Sequence, residues 1–118
     1  MKALVFAACA ALLAAQAHAA KPKTPSSYGA IAYHRDSQRW GTSHAARTAR
    51  EAKVGALERC GERRCEVVID IRNGCGALAD GPKRPATARG ATRAEAETKA
   101  LRKCGGEACR IVAWACTP

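Results

Sequence analysis

The chain has 118 residues, with 20 Lys and Arg against 10 Asp and Glu and a formal net charge of +10. That length supports one small domain with a thin core. The charge attracts anionic partners, such as phospholipid headgroups, acidic cell-wall polymers, nucleic acid or an acidic protein, without choosing among them. Aromatic residues make up 4% of the chain, too few for the stacking platforms of single-stranded nucleic-acid readers, so nucleic acid is the least favoured of these.

Residues 1–19 read as a secretory signal: Lys2 supplies the positive start, Ala3 to Ala15 the apolar stretch and Ala17-His18-Ala19 the small-residue cleavage site. A membrane anchor is the rival reading, but the apolar stretch is too short for it and no charged stop follows. Phe6-Ala7-Ala8-Cys9 resembles a lipoprotein cleavage box, but almost no apolar run precedes it. The expected mature chain starts near Ala20, has no transmembrane segment and is periplasmic or secreted. Cleavage removes Cys9 and leaves an even set, Cys60, Cys65, Cys75, Cys104, Cys109 and Cys116. In an oxidising compartment these read as three disulfides.

Residues 20–27, with Pro22, Pro25 and two serines, form a flexible leader. Tyr28 to Tyr33 reads as a short strand, His34 to Gln38 as a polar turn and Arg39 to Ser43 as the returning strand of a hairpin. Thr48 then opens a helix by a capping box with Glu51, in which the threonine hydroxyl accepts from the Glu51 amide while the carboxylate reaches back. Ala52, Ala56, Leu57 and Cys60 share one helix face, and Gly61 stands where a left-handed residue ends the helix. Glu66 to Ile71 is the strongest strand of the first half. Cys75 to Ala79 opens the second half, followed by the proline-rich basic loop Asp80 to Pro85 and a short strand, Ala86 to Gly90, which the loop's prolines confine to an edge or shorten. A second helix begins at Thr92 with Glu95, and Arg110 to Ala115 is the last strand.

These elements repeat. Thr48, Glu51, Ala52, Ala56, Leu57, Cys60, Gly61 and Cys65 recur at identical spacing as Thr92, Glu95, Ala96, Ala100, Leu101, Cys104, Gly105 and Cys109, and Tyr28-Gly29-Ala30-Ile31-Ala32 matches Cys75-Gly76-Ala77-Leu78-Ala79. Duplicated units should make duplicated bonds: Cys60 with Cys65, Cys104 with Cys109, and Cys75 with Cys116. On a chain-entropy estimate, each short loop contributes about 2 kcal/mol and the long one about 4 kcal/mol. The expected fold is α+β, a single domain over 28–118. Two tandem strand-strand-helix-strand repeats (28–72 and 75–116) form a pseudo-two-fold, mainly antiparallel sheet with two helices on one face. Val67, Ile69 and Ile71, with Ile111, Ala113 and Ala115, are assigned to the helix-packed face, and Val68, Asp70, Val112 and Trp114 to the opposite one.

The chain resembles small exported bacterial proteins that carry the domain of unknown function 4189. The likeness lies in Tyr28-Gly29-Ala30-Ile31-Ala32, Arg39-Trp40-Gly41, the paired Ala-Leu-x-x-Cys helices, Asn73-Gly74-Cys75-Gly76-Ala77-Leu78-Ala79 and the closing Val112-Ala113-Trp114-Ala115-Cys116. It implies a cysteine-rich exported domain without an established catalytic activity. Members of that family often carry a tryptophan-glycine element in the second copy, where this chain has Pro85-Ala86-Thr87-Ala88-Arg89-Gly90.

No residue set points to catalysis. The cysteine pairs are too widely spaced for a structural zinc site, and the mature chain offers only His34 and His44 as partners, so no metal or cofactor is expected. His34, Asp36 and Ser37 share a polar turn, which reads as solvated surface, not as a nucleophile and its base. Glu51 and Glu95 are claimed by helix caps, which leaves no carboxylate pair for sugar hydrolysis, and no Cys-x-x-Cys occurs for redox work. The candidates are binding residues: Trp114, Asp70 at the matching position of the first copy, Trp40 on the first hairpin, and the cations Lys83, Arg84 and Arg89 of the second, since arginine pairs well with carboxylate or phosphate. The expectation is a non-enzymatic exported binding module, such as an inhibitor or immunity protein against a secreted toxin or cell-wall hydrolase. Its partner would be a protein or an anionic envelope component. The alternatives are a cationic envelope-polymer or membrane-surface binder, or a secreted effector.

Overall fold

A computed structural model describes residues 25–118; the expected signal peptide and residues 20–24 of the expected leader lie outside the described residues. The first copy comprises β1 (Tyr28–His34), β2 (Arg39–Ala46), α1 (Ala49–Cys60) and β3 (Glu66–Arg72). The second comprises β4 (Cys75–Asp80), β5 (Ala86–Gly90), α2 (Arg93–Cys104) and β6 (Arg110–Cys116). Pro25 to Ser27 precede β1. Ser26 accepts from the Arg72 guanidinium, and Ser27 exchanges hydrogen bonds with Asn73, so these two residues of the expected leader are held to the domain.

Both helices begin and end as the repeat dictates. The Thr48 and Thr92 hydroxyls accept from the Glu51 and Glu95 amides. The return bond lands one residue earlier than a reciprocal box would place it, with the two carboxylates accepting from the amides of Arg47 and Ala91. Lys99 adds an ammonium to Glu95, and these contacts, Lys99 foremost, hold the Glu95 carboxyl below the usual carboxylate range. Gly61 (φ 71°) and Gly105 (φ 82°) end the helices in the left-handed region and return their N–H groups to Leu57 and Leu101. Disulfides join Cys60 to Cys65, Cys104 to Cys109 and Cys75 to Cys116. Such bonds persist in oxidising compartments, which places the domain outside the cytoplasm. Among the described residues no helix is long and apolar enough to cross a membrane.

The six strands form two three-stranded antiparallel sheets, ordered β2-β1-β3 and β5-β4-β6. Each helix covers the outer face of its own sheet. Ala52, Ala56 and Cys60 of α1 pack on Ala30 and Ala32 of β1, and Ala96, Ala100 and Cys104 of α2 pack on Ala77 and Ala79 of β4. Alanine on both sides permits a short helix-to-sheet distance. At Gly41 of β2 a Cβ would lie 2.2 Å from the Ala56 carbonyl oxygen. The two inner faces meet through Ile31 and Tyr33 of β1, Ile69 and Ile71 of β3, Leu78 of β4, and Ala113 and Ala115 of β6. Ile31, Ile71 and Leu78 are fully buried there, each worth about 1.5–3 kcal/mol of apolar burial. The α+β class, the tandem units and the pseudo-two-fold relation are as the sequence implies. The strands, however, divide into two facing sheets with a helix on each outside.

Two bulges decide which side chains of β3 and β6 turn toward the opposing sheet. The β1–β3 register slips between Ile31 (opposite Ile69) and Ala32 (opposite Val67), and the β4–β6 register slips between Leu78 (opposite Ala113) and Ala79 (opposite Ile111). One extra residue, Val68 or Val112, turns the rest of the strand over. Val67 and Ile111 therefore face the helices as expected, whereas Ile69, Ile71, Ala113 and Ala115 face the opposing sheet. The expected sides of Asp70 and Trp114 are corrected by the same slip. Both lie on the helix-bearing side of their sheets, opposite Ala30 and Ala77 respectively.

Candidate functional site

The register of the two copies makes Tyr33 and Asp80 equivalent, since Tyr33 stands opposite Glu66 and Asp80 opposite Arg110. They meet across the pseudo-two-fold axis: the Tyr33 hydroxyl donates to Asp80 Oδ2 at 2.6 Å. Asp80 Oδ1 accepts from the Gly81 amide and lies 3.4 Å from Arg35 Nε. Burial, and then the Asp80 carboxylate, push the Tyr33 phenol up to about 12. A hollow of about 480 Å³ beside this pair is lined by Arg35, Gln38 and Arg110 among others. Its carboxylate is already engaged, so the pair acts as a tie between the sheets. Sequence reasoning missed it; superposing Tyr33 on Asp80 as positions next to the axis was the available signal.

The sandwich has two open sides, β3 beside β5 and β2 beside β6, related by the same pseudo-symmetry. On the first, Arg89 of β5 donates from Nε to the Asp70 backbone oxygen at 2.7 Å and from Nη2 to the Asp70 carboxylate at 2.9 Å. This ion pair, more than half exposed, bridges the side. On the second, Asp70 is replaced by Trp114. His44 takes the place of Arg89, one residue beyond Ser43, which pairs with Ala30 as Ala88 pairs with Ala77. Trp40 corresponds to Pro85, because Ala32 opposite Gly41 matches Ala79 opposite Ala86.

This second side is a groove of about 510 Å³. Its walls are Trp40, Thr42 and His44, alternate residues of β2, and the unbroken run Val112 to Cys116 of β6. Alternation marks the inward face of β2, whereas five consecutive residues mark the edge of β6 itself. Trp40 is 48% exposed and Trp114 41% exposed, although both are large and apolar. The Arg93 guanidinium of α2 lies 3.9 Å from the centroid of the Trp114 ring, a cation–π contact that fixes the ring's outer face. No carboxylate lines the groove.

The structure thus brings Trp40 and Trp114 to one site and sets Asp70 and Arg89 on the opposite side as a closed pair. Lys83 and Arg84 do not join Arg89 in a common anion grip. Arg84 donates to the Lys103 carbonyl at the end of α2, and Lys83 stands exposed on the β4–β5 loop. His34 and Ser37 do come together, with Nδ1 2.9 Å from Oγ, but the Ser37 hydroxyl donates to Glu62 at 2.6 Å and Asp36 takes no part. That bond, chiefly, holds the Glu62 carboxyl below its usual range. Among the described residues no group of three or more His, Cys, Asp or Glu is placed to hold a metal. His44 was missed as a groove residue because the expected strand stopped at Ser43, whereas β2 runs on to Ala46.

A comparison with curated proteins found no match. Among solved structures the chain is similar to the NMR structure of Rv1813c from Mycobacterium tuberculosis, with 36% identity and a TM-score of 0.60, covering 81% of this chain and 78% of that one. Residues 28–116 match the family described as Domain of unknown function (DUF4189), and with the repeat, the three disulfides and the facing sheets in place, the chain belongs to that family.

Proposed function

We propose that this domain is a non-enzymatic binding module of the periplasm or the extracellular space, and that the groove between β2 and β6 is its working surface. The observation that carries this reading is the divergence of two equivalent sides: one bridged by Asp70 and Arg89, the other open and carrying Trp40 and Trp114. Tryptophan seated in a rigid pocket is the side chain that most often dominates a protein interface. An acidic secreted protein, such as a toxin or a cell-wall hydrolase held inactive by this domain, suits a chain of net charge +10.

Immobilised mature protein, with its disulfides intact, is expected to capture a saturable protein partner from periplasmic extract. That capture should survive salt that screens exposed charges within about 6 Å or less. Trp40→Ala with Trp114→Ala should abolish it, and Asp70→Ala with Arg89→Ala should leave it in place. Capture that collapses with salt and ignores both tryptophans would instead establish the second reading, a cationic binder of envelope polymers.

A further inference from the structure

The backbone at the open side shows how the groove would hold its partner. Cys75 and Cys116 are opposed with their Cα atoms 4.0 Å apart, the close spacing of a pair that exchanges no backbone hydrogen bonds. The adjoining pair does bond, Thr117 N–H donating to the Gly74 carbonyl at 2.7 Å. Alternation along the ladder then makes Trp114 opposite Ala77 a second non-bonded pair, so the N–H and C=O of Trp114 and Cys116 point away from β4 toward the groove. The bridged side supports this assignment. There the equivalent carbonyl, that of Asp70, also points outward and accepts from Arg89. At Trp114 no protein group does so among the described residues.

We infer that the groove takes an extended, acidic peptide segment of a partner protein as an added strand on the free edge of β6, hydrogen-bonded to the backbone of Trp114 and Cys116. This deepens the proposed function and rests on it. The strand's N–H would occupy the place that the Arg89 guanidinium fills on the opposite side. Its side chains would alternate between the inward face of β2, where Trp40, Thr42 and His44 wait, and the outer face beside Trp114 and Arg93. Charge selects the occupant. The groove has no carboxylate in its lining, Arg110 at the start of β6 stands near Trp40 and Val112, and the Arg93 guanidinium, which also pairs with Glu97, lies over Trp114. A second copy of a +10 chain would be repelled from this edge, whereas glutamate or aspartate at alternate positions would be drawn to it.

The probe is a short synthetic peptide alternating valine and glutamate, added to the mature, disulfide-bonded protein and followed by amide hydrogen exchange and indole NMR signals. Expected results are slowed exchange of the Trp114 amide and binding weakened about tenfold or more when alternate peptide amides are N-methylated or glutamate is replaced by lysine. The double variant His44→Arg with Trp114→Asp should rebuild the Arg89–Asp70 bridge, keep the fold by circular dichroism and lose the peptide. If the peptide moves the indole signals while Trp114 exchange and N-methylation have no effect, the strand-addition inference is overturned and the groove remains a binding site. If neither tryptophan responds, and the Trp40→Ala with Trp114→Ala variant still captures the extract partner, the groove itself is not the site. Dimers forming through β6 without peptide would overturn the choice of occupant.

Discussion

Replacing Tyr33 by Phe removes one oxygen and tests the tie between the two sheets. In the wild type that oxygen donates to the Asp80 carboxylate at 2.6 Å inside the domain, with Tyr33 only 4% exposed. A hydrogen bond to a charged acceptor contributes about 1.5–3 kcal/mol, and a loss of about 2 kcal/mol lowers the melting temperature of a domain this size by roughly 10 °C. The pH dependence makes the prediction specific. The folded-state phenol is raised from 10.0 to about 12, so the stabilisation is complete below pH 10 and is lost as pH rises toward 12. Integrated over the first one and a half pH units of that window, the loss is about 2 kcal/mol. Urea unfolding of wild type and Tyr33→Phe should therefore differ by about 2 kcal/mol at pH 7 and converge near pH 11.5. The wild-type minus variant absorbance difference should show one tyrosinate appearing late. A stability gap that stays constant across this range, or no gap at neutral pH, would refute the assigned bond.

Gly41→Val should destabilise by more than about 2 kcal/mol, seen as a large fall in urea midpoint, because its Cβ would sit 2.2 Å from the Ala56 oxygen and 2.3 Å from the Cys60 nitrogen. Thr48→Ala and Thr92→Ala should each cost about 1 kcal/mol and add nearly independently in the double variant, since the two caps belong to separate helices. Replacing Cys75 and Cys116 together by Ser should cost about 4 kcal/mol, about twice the loss from replacing Cys60 and Cys65, as calorimetry of the two variants would reveal.

What the sequence made legible was local. Helix caps, glycine stops and cysteine pairing follow from residues within a few positions of one another or from copying one unit onto the next. The bulges at Val68 and Val112 were not legible. Two adjacent β-branched residues, Val67-Val68 or Ile111-Val112, satisfy either face, and a one-residue slip leaves composition and alternation unchanged while reversing every later side chain. That slip hid both the second sheet and the true sides of Asp70 and Trp114. Trp40 and Trp114 could each be named as anchors, yet their convergence depends on how two separate sheets stack, which no local pattern encodes. Arg89 read as a free cation because its carboxylate partner belongs to the other copy.

The hydrogen bond at the axis also bears on how this duplication could arise. Were two identical single-unit chains to associate in the same geometry, a residue at that place would confront its own twin: phenol against phenol, or carboxylate against carboxylate at hydrogen-bonding distance, the latter strongly repulsive once ionised. Tyr33 against Asp80 is a mismatched couple that needs two halves of different sequence. The second half expressed alone should fail to self-associate through this contact, and the two halves mixed should prefer each other.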